Sequence, residues 1–203
     1  MFFIKKVEMI TFRDHLNDDG SIMWLSRLQL TGELVFTPDD ADIFIKIKIL
    51  YCSNNQLTSI VGLENLPNLE LFYCYNNQLT SIIGLENLPN LERFDCNNNR
   101  LNMIPEIEHL INLGWLNCQD NQLESLSGIE NCLNLHVYNF VNNPLPSYYL
   151  HILKKLYIFQ KIRAQKVISR LVRTRNKCCI SISDIMYNYI DKYMQQQILY
   201  YML

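Results

Sequence analysis

Across residues 47–148, apolar and polar positions recur with a fixed step of 22. Ile47, Leu69, Leu91, Leu113 and Leu135 form one apolar column, and Leu57, Leu79, Leu101, Leu123 and Leu145 form another. Cys52, Cys74, Cys96 and Cys118 keep the same step, with Phe140 in the fifth place. A polar column runs beside them at Asn55, Asn77, Asn99, Asn121 and Asn143. Two copies are nearly identical: NNQLTSIVGLENLPNLE at 54–70 and NNQLTSIIGLENLPNLE at 76–92. A period of this length predicts stacked supersecondary units, none of which can bury its apolar face alone.

Each unit also predicts its own elements. Phe72 and Cys74 alternate with Tyr73 and Tyr75, the period-two pattern of a short strand with one face inward. Asn77 falls where the chain leaves that strand. Its amide is placed to bond the turn backbone of its own and the neighbouring coil, so the five asparagines are expected to form a ladder. Leu79, Ile82, Leu85, Leu88 and Leu91 then fill the interior from the return side. One step upstream, Leu25, Leu28, Leu30 and Val35 fall on the expected columns, with Glu33 in the asparagine place and Thr37-Pro38-Asp39-Asp40-Ala41-Asp42 replacing the return leucines. Residues 1–46 therefore read as an N-terminal cap that includes a degenerate repeat, because terminal repeats must face water. In the third coil Pro105-Glu106 replaces an apolar residue and Gly, which is expected to alter the return turn and spare the strand. Asn142-Asn143-Pro144-Leu145-Pro146 closes the array.

After Ser147 the pattern becomes helical. Tyr149, Ile152, Leu153, Leu156, Tyr157 and Phe159 make a wide apolar stripe continued by Val167, Ile168, Leu171 and Val172. A second helix is expected from Ser181 or Ser183. Residues 149–203 thus read as a basic helical cap or extension.

The unit Leu69-x-x-Phe72-x-Cys74-x-x-Asn77-x-Leu79 matches the pattern L-x-x-L-x-L-x-x-N-x-L. Over about residues 47–148 the chain resembles leucine-rich repeats of the short 22-residue class, the type found in internalins and in a regulatory subunit of a Ser/Thr protein phosphatase. The resemblance implies an α/β repeat solenoid: a short, curved, right-handed coil with a parallel concave sheet, here followed by a helical C-terminal region. Such a motif is specific for fold and nearly silent on function. Leucine-rich repeats typically bind protein partners along the concave face.

Composition adds two points. Leu (30) and Asn (23) are abundant together in 203 residues despite opposite burial preferences, as expected if each has a fixed place in the repeat. High Ile, Asn, Tyr and Lys with two Ala also fits AT-rich coding, as in giant viruses or some protists. The net charge of −2 hides a split. Residues 1–146 carry 8 Lys and Arg against 18 Asp and Glu, whereas residues 147–203 carry 10 against 2. No apolar run approaches the ~18 residues of a membrane span. Met1-Phe2-Phe3-Ile4-Lys5-Lys6 has its lysines after its apolar residues, unlike a secretory signal. With seven Cys, the expectation is reduced thiols in an intracellular setting, cytoplasmic or in a host cytoplasm if the source is viral.

Candidate chemistry is sparse. The cysteine column lies where Leu normally sits, and it lacks the Cys and His spacing of zinc sites, so core packing is expected. Cys178-Cys179 has basic neighbours but no evident base. His15, His109, His136 and His151 show no motif spacing, and no nucleotide, hydrolase or kinase signature is present. We therefore expect no enzyme, no cofactor, no metal and no small-molecule substrate.

The outward strand positions are the better candidate. One column reads Ile49, Leu71, Arg93, Trp115 and Val137, and the next Tyr51, Tyr73, Asp95, Asn117 and Asn139. A third reads Ser53, Tyr75, Asn97, Gln119 and Val141. Trp, Tyr and Arg are enriched at binding hot spots. A protein partner is therefore expected on this face, with Arg93 and Trp115 as central anchors. Tyr51, Leu71, Tyr73 and Tyr75 would form an aromatic and apolar wing, and Asp95 and Asn117 would act as polar selectors. Cross-strand packing of the tyrosines is the plainer reading of the same residues. The alternative function is contact with a membrane surface or nucleic acid through the nine basic residues of 154–177. It is the less favoured, because the acidic repeats would oppose nucleic acid.

Overall fold

The computed structural model describes residues 5–6, 11–104, 107–132, 134–149, 151–153, 158 and 162. The chain divides into two units, Met1–Pro146 and Ser147–Leu203. In chain order the strands are β1 (Lys5–Lys6), β2 (Ile22–Trp24), β3 (Leu30–Val35), β4 (Ile49–Tyr51), β5 (Gln56–Val61), β6 (Leu71–Tyr73), β7 (Ser81–Ile82), β8 (Arg93–Asp95), β9 (Trp115–Asn117) and β10 (Val137–Asn139).

Two parallel sheets result. One has six strands in the order β2-β4-β6-β8-β9-β10, and the other has four in the order β1-β3-β5-β7. From β4 onward the first sheet keeps the 22-residue step, with Ile49 opposite Leu71, Leu71 opposite Arg93, Arg93 opposite Trp115 and Trp115 opposite Val137. The chain is thus a repeat solenoid, as the resemblance implied.

The interior is built as the columns require. Leu79, Leu85, Leu88 and Leu91 are fully buried and Ile82 nearly so. Phe72 and Phe94 stack with ring centroids 5.3 Å apart. On the return side, 3-10 turns at Leu63–Asn65, Leu85–Asn87, Ile107–His109 and Ile129–Asn131 lead into the next strand. The first begins after Gly62 at φ +86°, where a Cβ would strike the Phe36 carbonyl oxygen of the preceding coil. Glycine there permits both the left-handed backbone and the close stacking. Pro105 and Glu106 lie outside the described residues, but β9 keeps its register beyond them.

The asparagine ladder forms, and each asparagine bonds its own coil and the one before it. Asn77 Nδ2 donates to the carbonyls of Cys74 and of Cys52 in the previous coil, both at 3.0 Å, while its Oδ1 accepts from Leu57 N at 3.0 Å. Asn55, Asn99, Asn121 and Asn143 repeat the arrangement. Two further rows add to the ladder. Asn54, Asn76, Asn98, Asp120 and Asn142 all adopt positive φ of 53–57°, the left-handed region that Asn and Asp tolerate. Their side chains bond along the row, as from Asn76 to Asn54 at 2.9 Å. On the return side Asn68, Asn90, Asn112 and Asn134 each donate to a carbonyl one coil back.

The first coil corrects the expected register. The sequence placed Leu25, Leu28, Leu30 and Val35 on the columns by a step of 22, with Glu33 in the asparagine place. Instead β2 pairs with β4 at a step of 27: Ile22 opposite Ile49, Met23 opposite Leu50, Trp24 opposite Tyr51. The cause is the insert, which folds as a 3-10 turn at Pro38–Asp40 running into the short helix α1 (Ala41–Phe44) and lengthens the coil. The aromatic residues that flank it accommodate the added length, since Phe36 and Phe44 are buried and pack with Phe12 at centroid distances of 5.3–5.5 Å. Leu25 therefore takes the cysteine column, and Asn55 bonds Leu25 O, Leu28 N and Leu30 N directly. Glu33 lies on β3 and accepts from Ser59 Oγ.

In the second unit, Tyr149 and residues 151–153, 158 and 162 are helical. The rest of the expected basic helix and the second helix lie outside the described residues.

Candidate functional site

The exposed face of the six-stranded sheet presents the expected columns, extended by one residue that sequence reasoning missed. Trp24 stands beside Tyr51 and is 50% exposed. Their rings stack at 4.4 Å with an interplanar angle of 9°, and Tyr51 stacks on Tyr73 at 5.0 Å and 7°. The wing is therefore a three-ring stack across β2, β4 and β6. Burial raises the Tyr51 phenol above its ordinary pKa, and the phenols of Tyr73 and Tyr75 add to the shift. A step of 27 rather than 22 from Tyr51 would have revealed Trp24, and only the insert signals it.

Beyond the wing the first column continues from half-buried Leu71 to exposed Arg93 and half-buried Trp115. The ion pairs seen among the described residues, Arg13–Asp42 and Lys48–Glu70, do not involve Arg93. Asp95 shares Arg93's strand and is only 8% exposed. Its Oδ1 accepts from Asn97 N at 3.2 Å and from Asn97 Nδ2 at 2.6 Å. Burial raises its carboxyl above the ordinary range, opposed by hydrogen bonds from Asn97 and Asn117. Asn117 and Asn139 repeat the turn, accepting from Gln119 N at 3.3 Å and Val141 N at 3.1 Å. Ser53, expected to face outward, is buried and shares a 2.9 Å hydrogen bond with Ser26.

The cysteines belong to the core. Cys52, Cys74, Cys96 and Cys118 are fully buried, and the Cys96 and Cys118 sulfurs lie 3.4 Å apart. Burial raises the thiols of Cys52, Cys74 and Cys118 far above their ordinary value and pushes Cys132 up to about 12. Thiols held protonated this way are poor nucleophiles and poor metal ligands. Among the described residues no group of three or more His, Cys, Asp or Glu is arranged to hold a metal ion, and no helix is long and apolar enough to cross a membrane. The face offers contact area, hydrogen bonding and one cation.

A family model described as Leucine Rich repeats (2 copies) matches residues 45–87 and again 67–110. No curated protein matches the chain. Similar solved structures include an internalin C2 of Listeria monocytogenes, 28% identical over 58% of this chain and 50% of that one, with a TM-score of 0.49. A leucine-rich-repeat protein of Leptospira interrogans is 24% identical over 58% of this chain and 31% of that one, with a TM-score of 0.52. The functional domain of InlJ from Listeria monocytogenes, described as including a cysteine ladder, is 21% identical over 61% and 30%, with a TM-score of 0.50. The chain spans half or less of each of these proteins. Stacked parallel coils with an asparagine ladder define a repeat solenoid. Residues 45–110 match leucine-rich repeats, and repeats of that kind generally serve in protein interaction.

Proposed function

We propose that the chain is a non-catalytic protein-interaction module whose partner docks on the concave face, the outward side of the six-stranded sheet. One observation carries the reading: Trp24, Tyr51, Tyr73, Leu71, Arg93 and Trp115 form a continuous outward run that the interior does not require. Large aromatic and Arg side chains of this kind dominate binding energy at interfaces. Arg93 and Trp115 are the central anchors, Tyr51, Tyr73 and Tyr75 the wing, and Asp95 and Asn117 fix the polar end. The free, buried cysteines fit a reducing, intracellular setting.

Trp115→Ala is expected to weaken the complex by ~2 kcal/mol, about 30-fold, without unfolding the protein. The test is capture of partners from the native cell on wild-type chain and on a Tyr73→Ala/Trp115→Ala double variant, quantified by mass spectrometry. Partners retained equally by the double variant would refute docking on this face.

A further inference from the structure

The geometry points to a particular partner chemistry: an extended protein segment carrying an Asp or Glu side chain for Arg93 and an apolar or aromatic side chain for the Trp24–Tyr51–Tyr73 stack. This rests on the reading of the face as a protein-docking surface and adds what the docked segment must contain.

The charge of the face sets the first requirement. Among the described residues the outward columns hold one cation, Arg93, and one carboxylate, Asp95. Asp95 is all but buried and bonded by Asn97. Arg93 is exposed and takes part in no ion pair among the described residues, with Leu71 and Trp115 as its neighbours across the strands. A guanidinium between apolar neighbours favours a planar, bidentate carboxylate.

The stack sets the second. With interplanar angles of 7–9°, Trp24, Tyr51 and Tyr73 turn their faces toward one another. What remains for a ligand along most of the stack is ring edges and phenol tips. The edge is the positive end of the ring quadrupole, so the stack attracts apolar groups and acceptors rather than cations.

The third requirement is spacing and direction. β8 and β2 are three strand positions apart, about 14 Å, and an extended chain covers that in about four residues. Pairing to the sheet edge at β2 is blocked, because Leu16 bridges Met23 antiparallel and Asn17 N donates to Ile22 O at 3.0 Å. The segment therefore crosses the strands and is read through its side chains.

The experiment uses the full chain. Random 12-residue peptides displayed on phage are panned on it. The strongest binder is then made with an amidated C-terminus, in its own sequence and with its acid replaced by the matching amide or by Lys. Affinities are read by fluorescence anisotropy. The enriched sequences should share an Asp or Glu about four positions from an aromatic or aliphatic residue. Removing the peptide's acid, or making Arg93→Gln, should each weaken binding at least tenfold. Trp24→Ala should weaken it at least fivefold, and Arg93→Glu should prefer the Lys peptide to the acidic one. Binders without an acid, or indifferent to Arg93→Gln, overturn this inference alone if Trp115→Ala still weakens them. Binders indifferent to both Arg93→Gln and Trp115→Ala overturn the docking face as well. Panning that enriches nothing counts against the segment proposed here, while partner capture continues to test the face.

Discussion

Asn99 is the most exposing place to perturb the solenoid. Its Nδ2 donates to the carbonyls of Cys74 at 3.1 Å, Cys96 at 2.9 Å and Asn97 at 3.3 Å, and its Oδ1 accepts from Leu79 N at 3.0 Å. The two cysteine carbonyls are served twice, since Cys74 O also accepts from Asn77 and Cys96 O from Asn121, both at 3.0 Å. Leu79 N relies on Asn99 among the described residues. Asn99→Ala thus orphans one buried N–H, at about 1–3 kcal/mol, and removes neutral bonds worth about 1 kcal/mol each, for a total of at least about 3 kcal/mol. Asn143, half-buried at the end of the ladder, lets water replace its bonds, so Asn143→Ala should cost less than half as much. Asn99→Asp keeps the acceptor for Leu79 N but turns an oxygen toward three carbonyls. Protonation returns a donor, so the introduced carboxyl is raised above its unfolded value of about 4. Its deficit against wild type should be smallest near pH 4 and grow as pH rises through the raised folded value. Urea unfolding followed by circular dichroism at pH 7 and pH 4 measures all three variants. If Asn99→Ala lies within about 0.5 kcal/mol of wild type, or the Asn99→Asp deficit does not shrink in acid, the ladder is not stabilising the stack as described.

Other expectations follow from the same geometry. Gly32 and Gly62 share φ of +84° and +86°, but a Cβ at Gly32 meets nothing within 4 Å, whereas at Gly62 it strikes Phe36. Gly32→Ala should cost about 1–2 kcal/mol for the left-handed backbone alone, and Gly62→Ala clearly more; equal losses by thermal melting would show that the contact is not tight. Asp95 is raised by burial, so its contribution to stability is present when it is protonated and is lost as pH rises through the folded value. Asp95→Asn, which matches Asn117 and Asn139, should therefore raise the melting temperature at pH 7, with a gain that fades toward pH 3; a loss at pH 7 would contradict this. The thiols of Cys52, Cys74 and Cys118 should resist iodoacetamide at pH 8 until urea is added, as mapped by mass spectrometry. Because they too are raised, stability should fall as pH climbs above about 8.5, where unfolded thiols ionise. Native-state alkylation at these sites would refute their burial.

The coils from Ile47 onward were legible because each residue type has one job per turn, and burial, strand position and ladder repeat it every 22 residues. The first coil was misread for the same reason: a constant step carried backward ignores five added residues, and the Phe12–Phe36–Phe44 cluster that accommodates them is visible only in three dimensions. Trp24 was lost with it. The face columns follow from alternation, but alternation cannot tell that Asp95 and Ser53 are outward in direction and buried in fact. That depends on the neighbours Asn97, Asn117 and Ser26. The row at Asn54 was in plain view, yet its role lies in positive φ, which sequence alone does not display.

The near-identity of 54–70 and 76–92 has a consequence for folding. A growing stack offers two almost equivalent coils to the same docking surface, because they differ only at Val61 and Ile83, so a one-coil slip would recover most of the native bonds. Discrimination falls to contacts with no copy elsewhere. Phe36 supplies one: its carbonyl accepts Asn65 Nδ2 at 2.8 Å and closes on Gly62, while the corresponding Asn87 bonds Glu86 instead. Phe36 of the irregular first coil thus marks the place of the first near-twin with a bond that the second does not make.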